Sequence, residues 1–222
     1  MNFYLLDYSL EKKNSAEIYG LEPGYILQEG FQQGDLSYYE FPQETVMFSK
    51  PLLRKGSVPV DFINDMGAYG GLGYLIYERA KGILEHYNLP EHKFYTLPLL
   101  EYQGATAQYY WMQILIGHYD YSYIDFKKST FIKTDFFEEG EKETIQFGSG
   151  ADLEKAFKNL DALKEKILPG KIYLNEDYSS HPKDLFYLKQ LFYPFIISER
   201  LHNAFFQNNI TGIKIDIIPV FK

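Results

Sequence analysis

Cysteine is absent from the 222-residue chain, which excludes disulfides, thiolate catalysis and zinc sites built on Cys. No apolar run approaches the ~20 residues that cross a bilayer as a helix. Positive charge is also in short supply, with 22 Lys plus Arg against 30 Asp plus Glu, a net charge of -8. Phosphate neutralisation needs a basic face, so nucleic acid is not an expected partner, and without a spanning run neither is a membrane. The acidic balance suits a basic protein, whose encounter the field would accelerate. The opening residues, Met1-Asn2-Phe3-Tyr4-Leu5-Leu6-Asp7, lack a basic segment, and their apolar run stops at Asp7, unlike a secretory leader. A cytoplasmic location is expected.

Catalytic motifs are missing too. His86, His92, His118, His181 and His202 form no i, i+4 pair on a predicted helix and no HExxH, so zinc hydrolase chemistry lacks its ligands. No metal or cofactor is expected. Phe147-Gly148-Ser149-Gly150 approaches a nucleophile elbow but lacks its glycine spacing. It reads as a linker ahead of a helix N-cap at Asp152. Gly67, Gly70, Gly71 and Gly73 are the best candidate for a phosphate cradle. Such a loop must follow a strand and open a helix, whereas here the strand Tyr74 to Ile76 comes after the glycines. The chain is expected to bind rather than catalyse. A small-ligand or nucleotide-binding module, or an enzyme, built on the glycine loop 67–73 is the alternative.

Aromatic residues are abundant, with 21 Tyr and 18 Phe but a single Trp, Trp111. Tyr suits half-buried sheet faces and wet interfaces alike. The most informative pattern is an internal echo. A shift of 121 residues aligns 74–99 with 195–220 without a gap, and Glu78, Arg79, Asn88, Lys93 and Pro98 recur as Glu199, Arg200, Asn209, Lys214 and Pro219. In the second copy Phe195-Ile196-Ile197 reads as a strand and Ser198 as an N-cap. Leu201, Ala204, Phe205 and Asn208 mark one helical face. Ile213 to Ile217 then alternates as a half-buried strand. The first copy places Ala80, Ile83, Leu84 and Tyr87 on its helix face, but Tyr77 replaces the capping Ser. Two related β-α-β units are expected. Glu78-Arg79 and Glu199-Arg200 open both helices, where Arg either forks onto a carboxylate or partner or makes a local ion pair.

Around the echo, Phe3 to Tyr8 reads as a first strand and Thr45 to Phe48 as a short one. Ala107 to Ile116, Tyr121 to Phe126 and Ser129 to Thr134 are sheet-like. Leu153, Ala156, Phe157, Leu160, Leu163 and Ile167 form a stripe that predicts a long amphipathic helix over about 152–167, ended by Pro169-Gly170. Lys171 to Leu174 follows as a strand. Helices and strands without regular alternation predict an α+β fold. An N-terminal lobe, 1–134, and a C-terminal lobe, 135–222, form either two units or one continuous domain. Between the sheet and helix segments lies the acidic run Asp135, Phe136, Phe137, Glu138, Glu139, Glu141 and Glu143. It reads as a partner-binding patch or as a solvated loop, and its two adjacent aromatics must bury or bind something.

The stretch Phe195-Ile196-Ile197-Ser198-Glu199-Arg200-Leu201, with Asn209-Ile210-Thr211-Gly212-Ile213 and Pro219-Val220, resembles the ending of a family of immunity proteins from bacterial polymorphic toxin systems. Tyr109-Tyr110-Trp111 and Tyr123-Ile124-Asp125-Phe126 resemble Bacteroidota members more loosely. The resemblance implies a cytoplasmic protein that neutralises a cognate toxin by direct binding, without catalysis. Its motif carries fold and role, not site residues.

Overall fold

The computed structural model describes residues 2–11, 15–21, 39–42, 48, 50–55, 57–64, 73–102, 105–115, 121–188, 190–192, 195–219 and 221. The fold is mixed α+β, assembled from several small antiparallel sheets. Its strands are β1 (Phe3–Tyr8), β2 (Ile18–Leu21), β3 (Pro51–Leu53), β4 (Phe62–Ile63), β5 (Gly73–Tyr77), β6 (His92–Thr96), β7 (Leu100–Tyr102), β8 (Ala105–Ala107), β9 (Tyr109–Ile114), β10 (Thr130–Asp135), β11 (Glu143–Ile145), β12 (Glu165–Lys171), β13 (Leu185–Phe186), β14 (Phe195–Ser198) and β15 (Ile213–Ile217). The helices are α1 (Glu78–Leu84), α2 (Gly150–Asn159), α3 (Glu176–Ser180) and α4 (Glu199–Gln207). Among the described residues no helix is long and apolar enough to cross a membrane.

Two four-stranded sheets share one plan. One runs β4-β5-β9-β6 and the other β13-β14-β1-β15. Their registers correspond: Leu75 and Tyr95 both face Trp111, and Ile196 and Asp216 both face Leu5. Phe62 faces Ile76 as Leu185 faces Ile197. The strands flanking each helix are therefore not hydrogen-bonded to each other. A third strand lies between them, β9 in the first sheet and β1 in the second. β1 comes from the opposite end of the chain, so the division expected at 134/135 does not describe this arrangement. That boundary also falls inside β10.

Period-two alternation sorts the side chains of both sheets into three layers. Tyr74, Ile76, Met112, Ile114, Leu6, Phe195 and Ile197 join Ala80, Leu84, Leu201 and Phe205 of the two helices in a shared central core. Leu75, Trp111, Tyr109 and Tyr95 point to the other side of the first sheet. Phe3 and Ile196 point to the other side of the second, against β10, β12 and α2. The aromatic load is spent largely in these layers, as in the edge-to-face contacts of Phe62 with Tyr74 and Phe205.

The predicted helix over 152–167 is shorter and shifted. α2 covers Gly150–Asn159, capped by Ser149 rather than Asp152. Leu153 is buried, with Ala156, Phe157 and Leu160 packed beside it, but Leu163 is 87% exposed. From Glu165 the chain is a strand, with six residues paired along β10. The ladder along β10 satisfies this backbone as a further helical turn would, and it also buries Ile167 in the core, so tertiary packing overrides the helical stripe. Pro169 sits inside β12 beside a register shift at Thr130/Phe131, the kind of place where a missing N–H is tolerated. Tyr121 to Phe126, expected as a strand, forms turns with one bridge, Ile124 to Leu174. Thr45 to Met47 lie outside the described residues.

Candidate functional site

The acidic run closes the hairpin between β10 and β11. Asp135 ends β10 and folds its carboxylate back over the turn, accepting backbone N–H groups from Phe137 (2.9 Å), Glu139 (3.4 Å) and Gly140. Those bonds, led by that from Gly140, hold its carboxyl below the ordinary Asp range. A Cβ at position 140 would lie 2.6 Å from the Asp135 carboxylate, so any other residue there would have to displace that side chain. Phe136 N–H is anchored on the Lys164 carbonyl at 2.8 Å.

The seven candidate residues therefore do different things. Asp135 is consumed by the turn itself. Glu138, at a φ of 63°, pairs with Lys166 at 2.7 Å and Lys142 at 3.8 Å. The Lys166 hydrogen bond chiefly lowers its pKa. Glu143 opens β11. Phe136 and Phe137 stand exposed, 49% and 76%, with rings edge-to-face at 5.4 Å. Glu139 and Glu141 carry no ion pair among the described residues and are exposed. The outward face of the tip is two phenyl rings flanked by two carboxylates on a turn fixed from within.

Sequence reasoning missed two buried carboxylates. Asp61, only 2% exposed, receives a forked guanidinium from Arg79 (Nε to Oδ1 2.9 Å, Nη2 to Oδ2 2.6 Å). Asp184, 5% exposed, receives the same fork from Arg200. Each clamp is completed by the exit loop of the other unit's helix. Thr211 donates N–H and Oγ1–H to Asp61, both at 2.8 Å, and Asn88 N–H donates to Asp184 at 2.9 Å. Burial would raise both carboxyls, but the arginine fork and the added hydrogen bonds outweigh it and hold them low. Both helix-opening arginines thus take the fork, not the local pair with the preceding Glu. The available signal was an Asp directly ahead of each apolar pair, Phe62-Ile63 and Leu185-Phe186. These clamps join the two sheets, and both carboxylates are fully engaged in them.

Of the remaining candidates, Gly67, Gly70 and Gly71 lie outside the described residues, and Gly73 opens β5. Ser149 caps α2, its Oγ accepting from Asp152 N–H at 3.2 Å and donating to Asp152 Oδ2 at 2.8 Å. His118 lies outside the described residues. His202 stacks on Tyr4 at 4.0 Å, and His92 bonds the Pro90 carbonyl at 2.8 Å. Among the described residues no cluster of His, Asp and Glu could hold a metal. A cavity of about 330 Å³ lies beside the Arg79–Asp61 clamp, walled by Val58, Val60, Ile63, Tyr77, Leu100 and Tyr109. No family model, curated protein or solved structure matches this chain.

Proposed function

We propose that this chain is an immunity-type binding protein that neutralises a cognate, basic toxin by direct contact in the cytoplasm, without turnover. The observation that carries the reading is the β10–β11 tip. Two adjacent exposed phenyl rings and the carboxylates of Glu139 and Glu141 sit on a turn ordered in advance by Asp135. Rigid aromatic anchors ringed by charge are what a basic protein surface recognises at low ordering cost. The net charge of -8 favours the same partner, and the resemblance of 195–220 to immunity proteins supports the role. The strand–helix–strand segments of the two sheets are read as related copies, supported by their shared registers and reciprocal clamps.

Co-expression with the C-terminal domain of a large protein encoded by a neighbouring gene tests the reading by growth rescue and co-purification. Phe137→Ala, Glu139→Lys and Glu141→Lys are expected to abolish both while leaving the melting temperature unchanged. Full rescue by the triple variant would remove the tip from the interface. A second reading, a small-ligand module, is favoured by the apolar cavity beside Arg79. Stabilisation of the isolated protein by small apolar molecules, lost in Tyr109→Ala, would shift the assignment there.

A further inference from the structure

The two equivalent sheets provide an internal comparison at their outer strands, β6 and β15. In the first, Lys81 of α1 lies over the rings of Phe94 and Tyr110 (5.1 and 5.2 Å) and pairs with Glu85. A charged pair thus covers the corner between helix and edge strand. In the second, the same positions are His202, Ile215, Tyr4 and Phe206. His202 stacks on Tyr4, Phe206 is 78% exposed and Ile217 is 58% exposed. One corner is sealed by charge, and the other is left apolar.

β15 ends its sheet, and no strand pairs with its outer edge among the described residues. Ser9 N–H bonds to the Gly212 carbonyl and Ile218 N–H to the Phe3 carbonyl. By the alternation of an antiparallel ladder, Gly212, Lys214, Asp216 and Ile218 face β1. The backbone groups of Ile213, Ile215 and Ile217 then face outward. The side chains alternate as well, with isoleucines on the central-core face and Lys214 and Asp216 on the other.

We propose that this edge pairs with its own copy, antiparallel about a two-fold axis through Ile215, to form a homodimer with a continuous sheet across both protomers. The sequence Ile213-Lys214-Ile215-Asp216-Ile217 is self-complementary in that register. Ile215 faces Ile215 of the second copy through the outward N–H and C=O groups. Ile213 faces Ile217, and Lys214 faces Asp216 on both sides of the axis. The neighbouring registers are rejected by charge. A slip one way sets Lys214 against Lys214, and the other way sets Asp216 against Asp216. β6 has no such symmetry, since the same operation about Phe94 sets Lys93 against Tyr95. The exposed Ile217 and Phe206 lie on the flank that the second copy would cover, which accounts for an apolar corner where its counterpart is charged.

Analytical ultracentrifugation tests the register through paired charge swaps. The native chain is expected to sediment at twice its 26.0 kDa. Lys214→Asp and Asp216→Lys each place like charges opposite one another twice and are expected to run as monomers. An equimolar mixture of the two is expected to regain the dimer. One variant then presents an acid at both positions and the other a base at both, so every facing pair across the interface is of opposite charge. Neither a folding defect nor the loss of the intrastrand Lys214–Asp216 pair would be cured by mixing. Hydrogen exchange of the native protein provides a check without variants, with slowing at 213–217 expected as concentration rises. A native monomer at all concentrations, or a mixture that stays monomeric while both variants remain folded, would overturn the proposal.

Discussion

Removing the Asp61 carboxylate with Asp61→Ala tests whether the clamps hold the two sheets together. Thr211 N–H, now partly buried without an acceptor, costs about 1–3 kcal/mol. Arg79 is half exposed along its side chain and returns to water, so its fork contributes only about 1 kcal/mol. The combined loss is about 3 kcal/mol, at the low end of the ~3–5 kcal/mol for breaking a fully buried pair. With a urea dependence of about 2–3 kcal/mol per M for a chain of this size, the midpoint falls by about 1 M. The pH dependence supplies a second signature. The folded-state pKa of Asp61 is lowered, so its contribution is fully present above the unfolded Asp value, about 3.9. It is lost as pH falls through the folded value, because the native state must then take up the proton. The gap between native and variant should be constant at neutral pH and close below about pH 4. A midpoint shift equivalent to less than about 0.5 kcal/mol at pH 7 would mean that these bonds only break even with water, and the account of the clamp would fail.

Three further perturbations have defined outcomes. Gly212→Ala places a Cβ 2.1 Å from the Phe62 carbonyl at a φ of +84°, and a loss of roughly 2 kcal/mol or more is expected in thermal melts. Ser198→Ala removes both the cap on Leu201 N–H and a 2.7 Å bond to Asp184, and should cost about 1–2 kcal/mol by the same measurement. Trp111 is 1% exposed and packs against the rings of Phe48 and Tyr95, so the native emission should be blue-shifted and should move to the red when the first sheet unfolds. Emission already at the solvent position in the native protein would contradict that packing.

Much of the local structure is legible in the residues because the interactions that decide it are local. The N-cap at Ser198 and its absence at Tyr77 follow from side chains adjacent to the helix. The left-handed Asn209 at the exit of α4 and the alternation of Ile213 to Ile217 are equally short-range. The composition of the β10–β11 tip is visible as well, two phenylalanines among acids. Its working surface is not, since Glu138 is neutralised by Lys166 from β12 and Asp135 turns inward onto its own backbone.

What the tertiary structure decided rests on partners far away in sequence. Residues 165–167 carry the end of a helical stripe, yet β10 offers a ladder of backbone bonds and the stripe breaks at Asn159. β1 reads as a strand in isolation, but only folding places it between β14 and β15, about 190 and 210 residues onward. Asp61 and Asp184 are unremarked acids in the sequence. They become the fixed points of the molecule because burial leaves a carboxylate no water to bind, and an arginine from its own unit and an N–H from the other take that water's place.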